Sequence, residues 1–456
     1  MTELAKPFIL ICALGAAGHM APCKFLTKSL KKRGYEVTFL AASAYAPMVE
    51  EMGVTFVPLQ GYSNFIFDPE EWEARWPERK QLNGIAELAF DMDHLFIKPI
   101  PSQFETIQRA LKMMKEKDPG RPIIILQDLT FCGALPLLLG AEGIKPTGVI
   151  GIGHTAVMLS SQDIPPMGNG GLPDMTPEGR KRNIALYEEA RNGIFRSATE
   201  RFYEEFDNLG ARRPDTDTID SMYVIPDRFL QLCTQSAEFP RSDLPKNIVF
   251  AGNFPRNPTE GVVARPSWWE EVTTNPSKKR IIFVSQGTVA VKYEELIIPT
   301  IQAFADREDT LVIVALGIKN ASLPASVKIP SNVHVEDFIP YDDILPYCDV
   351  LVTNGGYGSF RHGLINGVPM VIGGDTQEKP ETAARCEWAG AGVNMRTGKP
   401  SVQLLRDSVE KVLADQKYKN KVMEIKAEMD SLDPMDIFEK HILELVQEKT
   451  ALANGN

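Results

Sequence analysis

"VTNGGYGSFRHG", residues 352–363, completes the apolar run "DVLV" and carries Gly355, Gly356 and Gly358. Glycine weakens regular structure, so a cluster at the end of a buried strand means the backbone must come very close to something. A strand that passes through glycines into a helix presents free N–H groups and the positive end of the helix dipole, which suits phosphate. "VSQGTV" (284–289) ends another apolar strand in a similar turn. Thr288 and Ser359 can add hydroxyl donors, and two such turns in one domain suit a diphosphate. Alone, "QGT" reads as a turn and cap; "NGGYGS" with its downstream neighbours reads as a phosphate turn.

Around these turns, short apolar strands alternate with helical segments, the pattern of parallel α/β units. In the second half the predicted strands are 281–285, 311–316, 333–338, 349–353, 369–373 and 392–395. In the first half they are 8–13, 37–42, 55–59, 123–127 and 148–152, with a helix over 23–34 that stops at Gly34. Residues 60–100 and 155–215 break the pattern and read as long insertions after strand ends, where open α/β sheets place binding sites. The Pro- and Gly-rich stretch 247–269 separates the two series. The expected division is an N-terminal domain over 1–245, a linker over 246–270, a second domain over 271–434, and a helix over 435–456 that packs back on the first domain. At 456 residues the chain is too long for one ordinary core.

Composition narrows the function. Acidic residues outnumber basic ones 60 to 49, for a net charge of −11, and no basic stripe stands out. That argues against nucleic acid or an anionic membrane as the main partner. No apolar run approaches the length of a membrane span. "KPFILICALGAAG" resembles a signal peptide, but Glu3 offsets Lys6 and the apolar core is short, so it reads as the first buried strand. Six cysteines form no C-x-x-C pair, which fits buried thiols in a reducing, cytoplasmic compartment.

The nucleotide class follows from missing motifs. A dinucleotide site needs G-x-G-x-x-G and an acid roughly 20 residues on, and "ALGAAGHMAP" (13–22) lacks the first pair. The Walker lysine pattern is absent as well.

His19, in "GAAGHMAP", sits on the turn entering the first helix, where the dipole disfavours imidazolium and keeps the ring neutral. Asp128, ending "IIILQ" at the same sheet edge, is a candidate partner that would orient the ring. From the residues alone His19 reads equally as a base or as a capping or core histidine, and Asp128 alone as an N-cap. His154 follows a strand and reads as cleft lining. His94, near Asp91 and Asp93, reads as part of a helical acidic face, and no element argues for a required metal.

Together "GAAGHMAP", "FVSQGT" and the block 338–392 resemble the UDP-glycosyltransferases, the inverting family with the two-domain GT-B fold. The resemblance implies an α/β protein of two Rossmann-like parallel-sheet domains facing across a cleft. The N-terminal domain would take an acceptor and the C-terminal one a UDP-sugar, as substrate rather than cofactor. His19 would deprotonate an acceptor hydroxyl, with Asp128 its partner. Phe338 would stack on uracil, Ile339 read its edge through the backbone, and Gly356, Gly358, Ser359 and Thr288 hold the diphosphate. Glu378 stands where an acid binds sugar hydroxyls. Four positions depart from the family pattern: Asn354 replaces a phosphate-binding histidine, His362 a ribose-binding glutamate, Lys379 a glutamine, and Phe338 the commoner tryptophan.

The expected reaction is metal-independent transfer of a hexose, glucose foremost, to a hydroxyl on a small apolar acceptor such as a flavonoid, another phenol, a sterol or a polyketide. Phe65, Phe67, Trp72, Trp76 and His154 are the candidate acceptor wall. Rival expectations are a sugar-nucleotide epimerase of similar fold and a non-catalytic nucleotide-sugar binder.

Overall fold

Among the described residues, thirteen short strands build two wholly parallel sheets. The computed structural model describes residues 6–82, 84–168, 170–256, 265–287, 292–376 and 378–454. Strands β1 (Phe8–Cys12), β2 (Val37–Ala41), β3 (Thr55–Pro58), β4 (Ile123–Asp128), β5 (Gly148–Gly153), β6 (Arg228–Gln231) and β7 (Ile248–Phe250) form the first sheet, in the order β3-β2-β1-β4-β5-β6-β7. Strands β8 (Arg280–Ser285), β9 (Thr310–Ala315), β10 (Val333–Glu336), β11 (Val350–Thr353), β12 (Met370–Ile372) and β13 (Gly392–Asn394) form the second, in the order β10-β9-β8-β11-β12-β13. The central strands are buried at every position, as in β1 and β4, because helices cover both faces of each sheet.

The two orders are the same in kind. Each sheet grows outward in one direction from its first strand, then returns to add strands on the other side. The direction reverses between β1 and β4 in the first sheet and between β8 and β11 in the second. At such a reversal the loops leave the carboxyl edge in opposite directions and open a crevice.

Two boundaries differ from the sequence expectation. The first sheet has two further strands, β6 and β7, and β7 lies inside the stretch read as linker. With only three residues and a lateral partner on one side, it carries no periodic signal of its own. The helix read as beginning at Cys23 begins at Ala17, and Pro22 sits within it. Its stop is at the expected place, with Gly34 at φ +83° just past the end.

The helix Pro434–Asn454 returns to the first sheet, where Met435, Phe438, Ile442 and Leu445 join the core of Ile9, Ile11 and Leu126. Ionic contacts fix its outer side: Glu439 accepts from Lys6 at 2.9 Å, Arg33 at 2.7 Å and the Tyr35 hydroxyl at 3.0 Å. All six cysteines are free and buried. Among the described residues no helix is long and apolar enough to cross a membrane.

Candidate active site

Three neighbouring strands deliver three side chains to one point. His19 is the third residue of the helix Ala17–Lys32 that follows β1, Asp128 is the last residue of β4, and His154 is the first residue after β5. The sheet order β1-β4-β5 places them side by side at the carboxyl edge. His19 Nδ1 lies 2.8 Å from Asp128 Oδ2, and His154 Nε2 lies 3.4 Å from the same oxygen. The two imidazoles meet edge to face, with ring centroids 4.5 Å apart. Asp128 Oδ1 accepts from the Thr130 N–H at 2.8 Å and from its hydroxyl at 2.9 Å. Asp128 is therefore held from three sides and does not cap a helix.

The electrostatics follow from burial. Asp128 is fully buried, which alone would raise its proton affinity, yet His19 and His154 hold the carboxyl well below the usual range. For His19, burial acts downward, but Asp128 and the more distant Glu378 outweigh it, and the ring binds its proton more tightly than a free imidazole. At this helix end the carboxylate in contact acts against the expected preference for a neutral ring. His154 moves the other way, because burial dominates, with the His19 and Arg361 charges acting in the same direction. The ligand atoms of His19, Asp128 and His154 lie within 4.8 Å of one another, so the cluster also has the donor set of a divalent transition-metal site.

Facing this edge is the reversal point of the second sheet. Gly355 adopts φ +87°, and an added Cβ would lie 2.7 Å from Ile372 Cγ2, so the turn itself demands glycine there. Gly356 precedes the helix Tyr357–Asn366. At Gly358, in its first turn, an added Cβ would meet no described atom within 4 Å, which leaves backbone open to a ligand. The Asn354 amide donates to the Gln286 carbonyl at 2.7 Å, so one of its donors ties the two glycine turns together. The Ser359 hydroxyl shares a 3.0 Å hydrogen bond with Tyr341. His362 Nδ1 lies 2.8 Å from Asp342 Oδ1. Phe338 is 56% exposed beside buried Ile339. Thr288 lies outside the described residues.

Glu378 is the residue before the helix Lys379–Trp388, and its charge is felt at His19 across the cleft. Lys379 is buried, with Nζ 3.3 Å from Thr376 Oγ1. Further along this helix, Arg385 forms an ion pair with Glu238 of the first lobe and another at 3.1 Å with Glu381. It also donates to the Val157 carbonyl at 2.8 Å, while Glu381 accepts from the Gly168 N–H at 3.0 Å. This buried cluster fixes the loop after β5 to the second lobe.

The aromatic segment lies against the first glycine turn. An added Cβ on Gly15 would strike the Phe65 carbonyl, and the Phe67 N–H donates to the Gly15 carbonyl at 2.6 Å. Phe65 and Phe67 therefore meet the turn at Gly15, four residues before His19. Trp72 is buried behind them at 5.4 and 5.9 Å, and Trp76 packs on Trp72 at 4.3 Å. His94 lies 3.0 Å from the Phe90 carbonyl and 2.7 Å from Lys98. Sequence reasoning missed Thr130, although D-x-T is a recognisable turn that folds a hydroxyl onto its own aspartate. It also missed the Arg385 cluster, whose parts come from distant segments.

Two parallel-sheet lobes whose reversal points face one another across a cleft make up the GT-B fold. The glycosyltransferase family 28 N-terminal domain matches residues 9–125, and the erythromycin biosynthesis protein CIII-like C-terminal domain matches residues 300–443. The chain is 38% identical to UDP-glucosyltransferase B1 of Starmerella bombicola, over 97% of this chain and 99% of that protein. It is 36% identical to UDP-glycosyltransferase 2 of Phaeomoniella chlamydospora, over 98% and 97%. The solved glycotransferase of kitacinnamycin shares the fold, with a TM-score of 0.70 at 20% identity over 97% of this chain and 99% of that one. The chain belongs to the UDP-glycosyltransferase family and is an enzyme. That membership sets aside the non-catalytic binder.

Proposed function

We propose that the protein transfers glucose from UDP-glucose, with inversion, to a hydroxyl group of a small, largely apolar acceptor. The observation that carries this reading is the 2.8 Å contact of His19 Nδ1 with buried Asp128, which leaves Nε2 as the nitrogen free to take a proton. Relatives named as UDP-glucosyltransferases support the sugar.

The reaction begins when the acceptor hydroxyl gives its proton to His19 Nε2. Its oxygen attacks the anomeric carbon from the face opposite the diphosphate. The bond from that carbon to the β-phosphate oxygen breaks, and UDP leaves with the electron pair. Asp128 holds the ring and stabilises the imidazolium that forms, a contribution of roughly 10²–10⁴ for a positioned base. Gly356, Gly358 and Ser359 meet the diphosphate at the helix N-terminus, with Asn354 fixing the turn and Thr288 adding a hydroxyl. Phe338 stacks on uracil, Ile339 offers backbone to its edge, His362 faces the ribose, and Glu378 and Lys379 face the sugar. Phe65 and Phe67 form the near acceptor wall, with Trp72 and Trp76 supporting it. The positive helix end supports the leaving diphosphate, so no metal is assigned to the transfer. Six buried thiols suit the cytosol as its compartment.

The test is incubation with UDP-glucose and a panel of phenols, sterols and polyketides, read by mass spectrometry and by the anomeric proton coupling of each product. A β-glucoside whose formation survives EDTA is expected. An α-product would overturn inversion, and a new UDP-sugar formed without acceptor would support the epimerase instead.

A further inference from the structure

Arg385 is a charge with almost no access to water: its side chain is 1% exposed, and so is that of Glu238. Each nitrogen of its guanidinium has a separate target. Nε donates to Glu238, Nη1 to Glu381 Oε2 at 3.1 Å, and Nη2 to the Val157 carbonyl at 2.8 Å. The two carboxylates reach on to backbone of the first lobe. Glu238 Oε2 accepts from the Val157 N–H at 3.1 Å, and Glu381 Oε1 from the Gly168 N–H at 3.0 Å. Both ends of the segment 157–168 are thus tied, through Arg385 and its acids, to the helix Lys379–Trp388 of the second lobe. Met158, Ile164, Pro165 and Met167 of that segment share one cavity with Glu378, the residue just before the helix.

We propose that Arg385 is a positioning residue for the transfer: it joins the sugar-side helix and the segment 157–168 into one moving piece, so that a donor held by the second lobe sets a wall of the first. The inference rests on the reading of Glu378 as facing the sugar and of the first lobe as holding the acceptor. Apolar side chains of similar volume would hold the lobes together at least as well as a buried ion pair. What they would not supply is direction. A guanidinium is a planar fork whose donors point at fixed angles, and here its three nitrogens fix three groups at once.

Neither side of the joint can shift alone without leaving a buried charge unpaired, which is strongly unfavourable. The ring of Phe239, also from the first lobe, closes the remaining face, with its centre 4.3 Å from Arg385 Cζ. The consequence lies at the reacting atoms. The nucleotide is held by the glycine turn, which Arg385 does not touch, so its loss leaves UDP binding in place. The sugar and the acceptor are placed by elements that Arg385 joins, and their mutual alignment is what a transfer step depends on.

The experiment reads this coupling on the full-length enzyme by hydrogen–deuterium exchange, with UDP-glucose as the probe. In the wild type UDP-glucose should slow exchange at the turn 355–359 and also across 157–168 in the other lobe. In Arg385→Lys, which keeps the charge but not the fork, protection of the turn should remain and that of 157–168 should be lost. No protection of 157–168 in the wild type, or its full survival in Arg385→Lys, would overturn the proposal. So would faster exchange throughout both lobes with and without UDP-glucose, the mark of a merely structural arginine. Turnover gives the second reading. With the best acceptor of the panel above, kcat of Arg385→Lys should fall about ten- to a hundredfold, the scale of a misplacement near 1 Å, with UDP affinity unchanged. Reduced UDP affinity with kcat retained contradicts the role. If Arg385→Lys does not fold, Glu381→Gln decides. It keeps the Arg385–Glu238 pair and removes one buried negative charge, but its amide has one accepting oxygen where the carboxylate uses two. Protection of 157–168 should weaken there, and wild-type protection would sink the proposal. An error in the reaction itself looks different: UDP-glucose binds, no glucoside forms from the panel, and the exchange comparison still decides on Arg385.

Discussion

The two lobes share a topology and differ in what they place at its critical point. In the first, the reversal between β1 and β4 is filled by side chains: a fully buried aspartate, a histidine against it, and a second histidine behind. In the second, the reversal between β8 and β11 is filled by backbone: a positive-φ glycine, a helix N-terminus and an asparagine that joins the two turns. On the proposed reading a proton must move to and from a titratable atom, so the first lobe needs a side chain. A diphosphate only has to be held, and oriented N–H groups do that without titrating. The contrast predicts that the first site is sensitive to chemical identity and the second to backbone shape.

The largest effect should come from His19→Ala. Turnover should fall by roughly 10²–10⁴ while the affinity for UDP, measured by calorimetry, stays unchanged. Weakened UDP binding would break the division of labour between the lobes. Asp128→Asn should lower kcat about ten- to a hundredfold, the usual cost of losing an orienting partner. It should also move the acid limb of the pH profile. Because the His19 pKa is raised in the protein, the neutral form dominates only above that raised value. In the wild type kcat/KM should therefore climb with pH to a midpoint above the ordinary imidazole value of about 6.5. Removing the Asp128 charge should shift that limb towards acid, and a limb that stays in place would remove Asp128 from the mechanism.

On the backbone side, Gly355→Ala should weaken UDP binding about tenfold with kcat at saturation little changed. A side chain there must accept φ +87°, at roughly 1–2 kcal/mol, and press on Ile372. Gly358→Ala sharpens the test. No described atom lies within 4 Å of the added Cβ, so an unchanged melting temperature with reduced UDP affinity would place the diphosphate at that turn. Unaltered affinity in both variants would move the nucleotide elsewhere.

The same contrast explains what the sequence discloses. Backbone sites leave a local signature, since glycines must stand next to one another in the chain; "NGGYGS" is legible for that reason. The strands of both sheets are legible too where burial on both faces makes them continuous apolar runs. β6 and β7 are not, because Arg228 opens one and the other is three residues in a Pro- and Gly-rich stretch. Side-chain sites assembled from three strands leave no such signature. His19 and Asp128 could each be placed at a sheet edge, but the proximity of His154 depends on the order β1-β4-β5, which no spacing encodes. The helix end at His19 is visible in sequence, whereas the 2.8 Å distance to Asp128 is not. The Arg385 cluster joins residues 238, 381 and 385 with the loop after β5, and only the folded chain brings them together.

The smallest effect tests whether the contrast is complete. Thr130→Val preserves shape and removes one hydroxyl from Asp128 Oδ1, but the Thr130 backbone N–H, at 2.8 Å, remains on that oxygen. If side chains alone hold the aspartate, losing the hydroxyl should cost as much as other changes around the base. If backbone shares the task, the loss is one neutral donor among several, on the order of 1 kcal/mol. The second outcome is expected: a fall of about three- to fivefold in kcat, with the acid limb moving slightly to higher pH as the carboxylate loses a donor and draws harder on His19. A drop comparable to Asp128→Asn would show that the hydroxyl, 3.2 Å from His19 Nδ1, positions the ring directly. The first lobe would then depend on side chains even where an N–H is within reach.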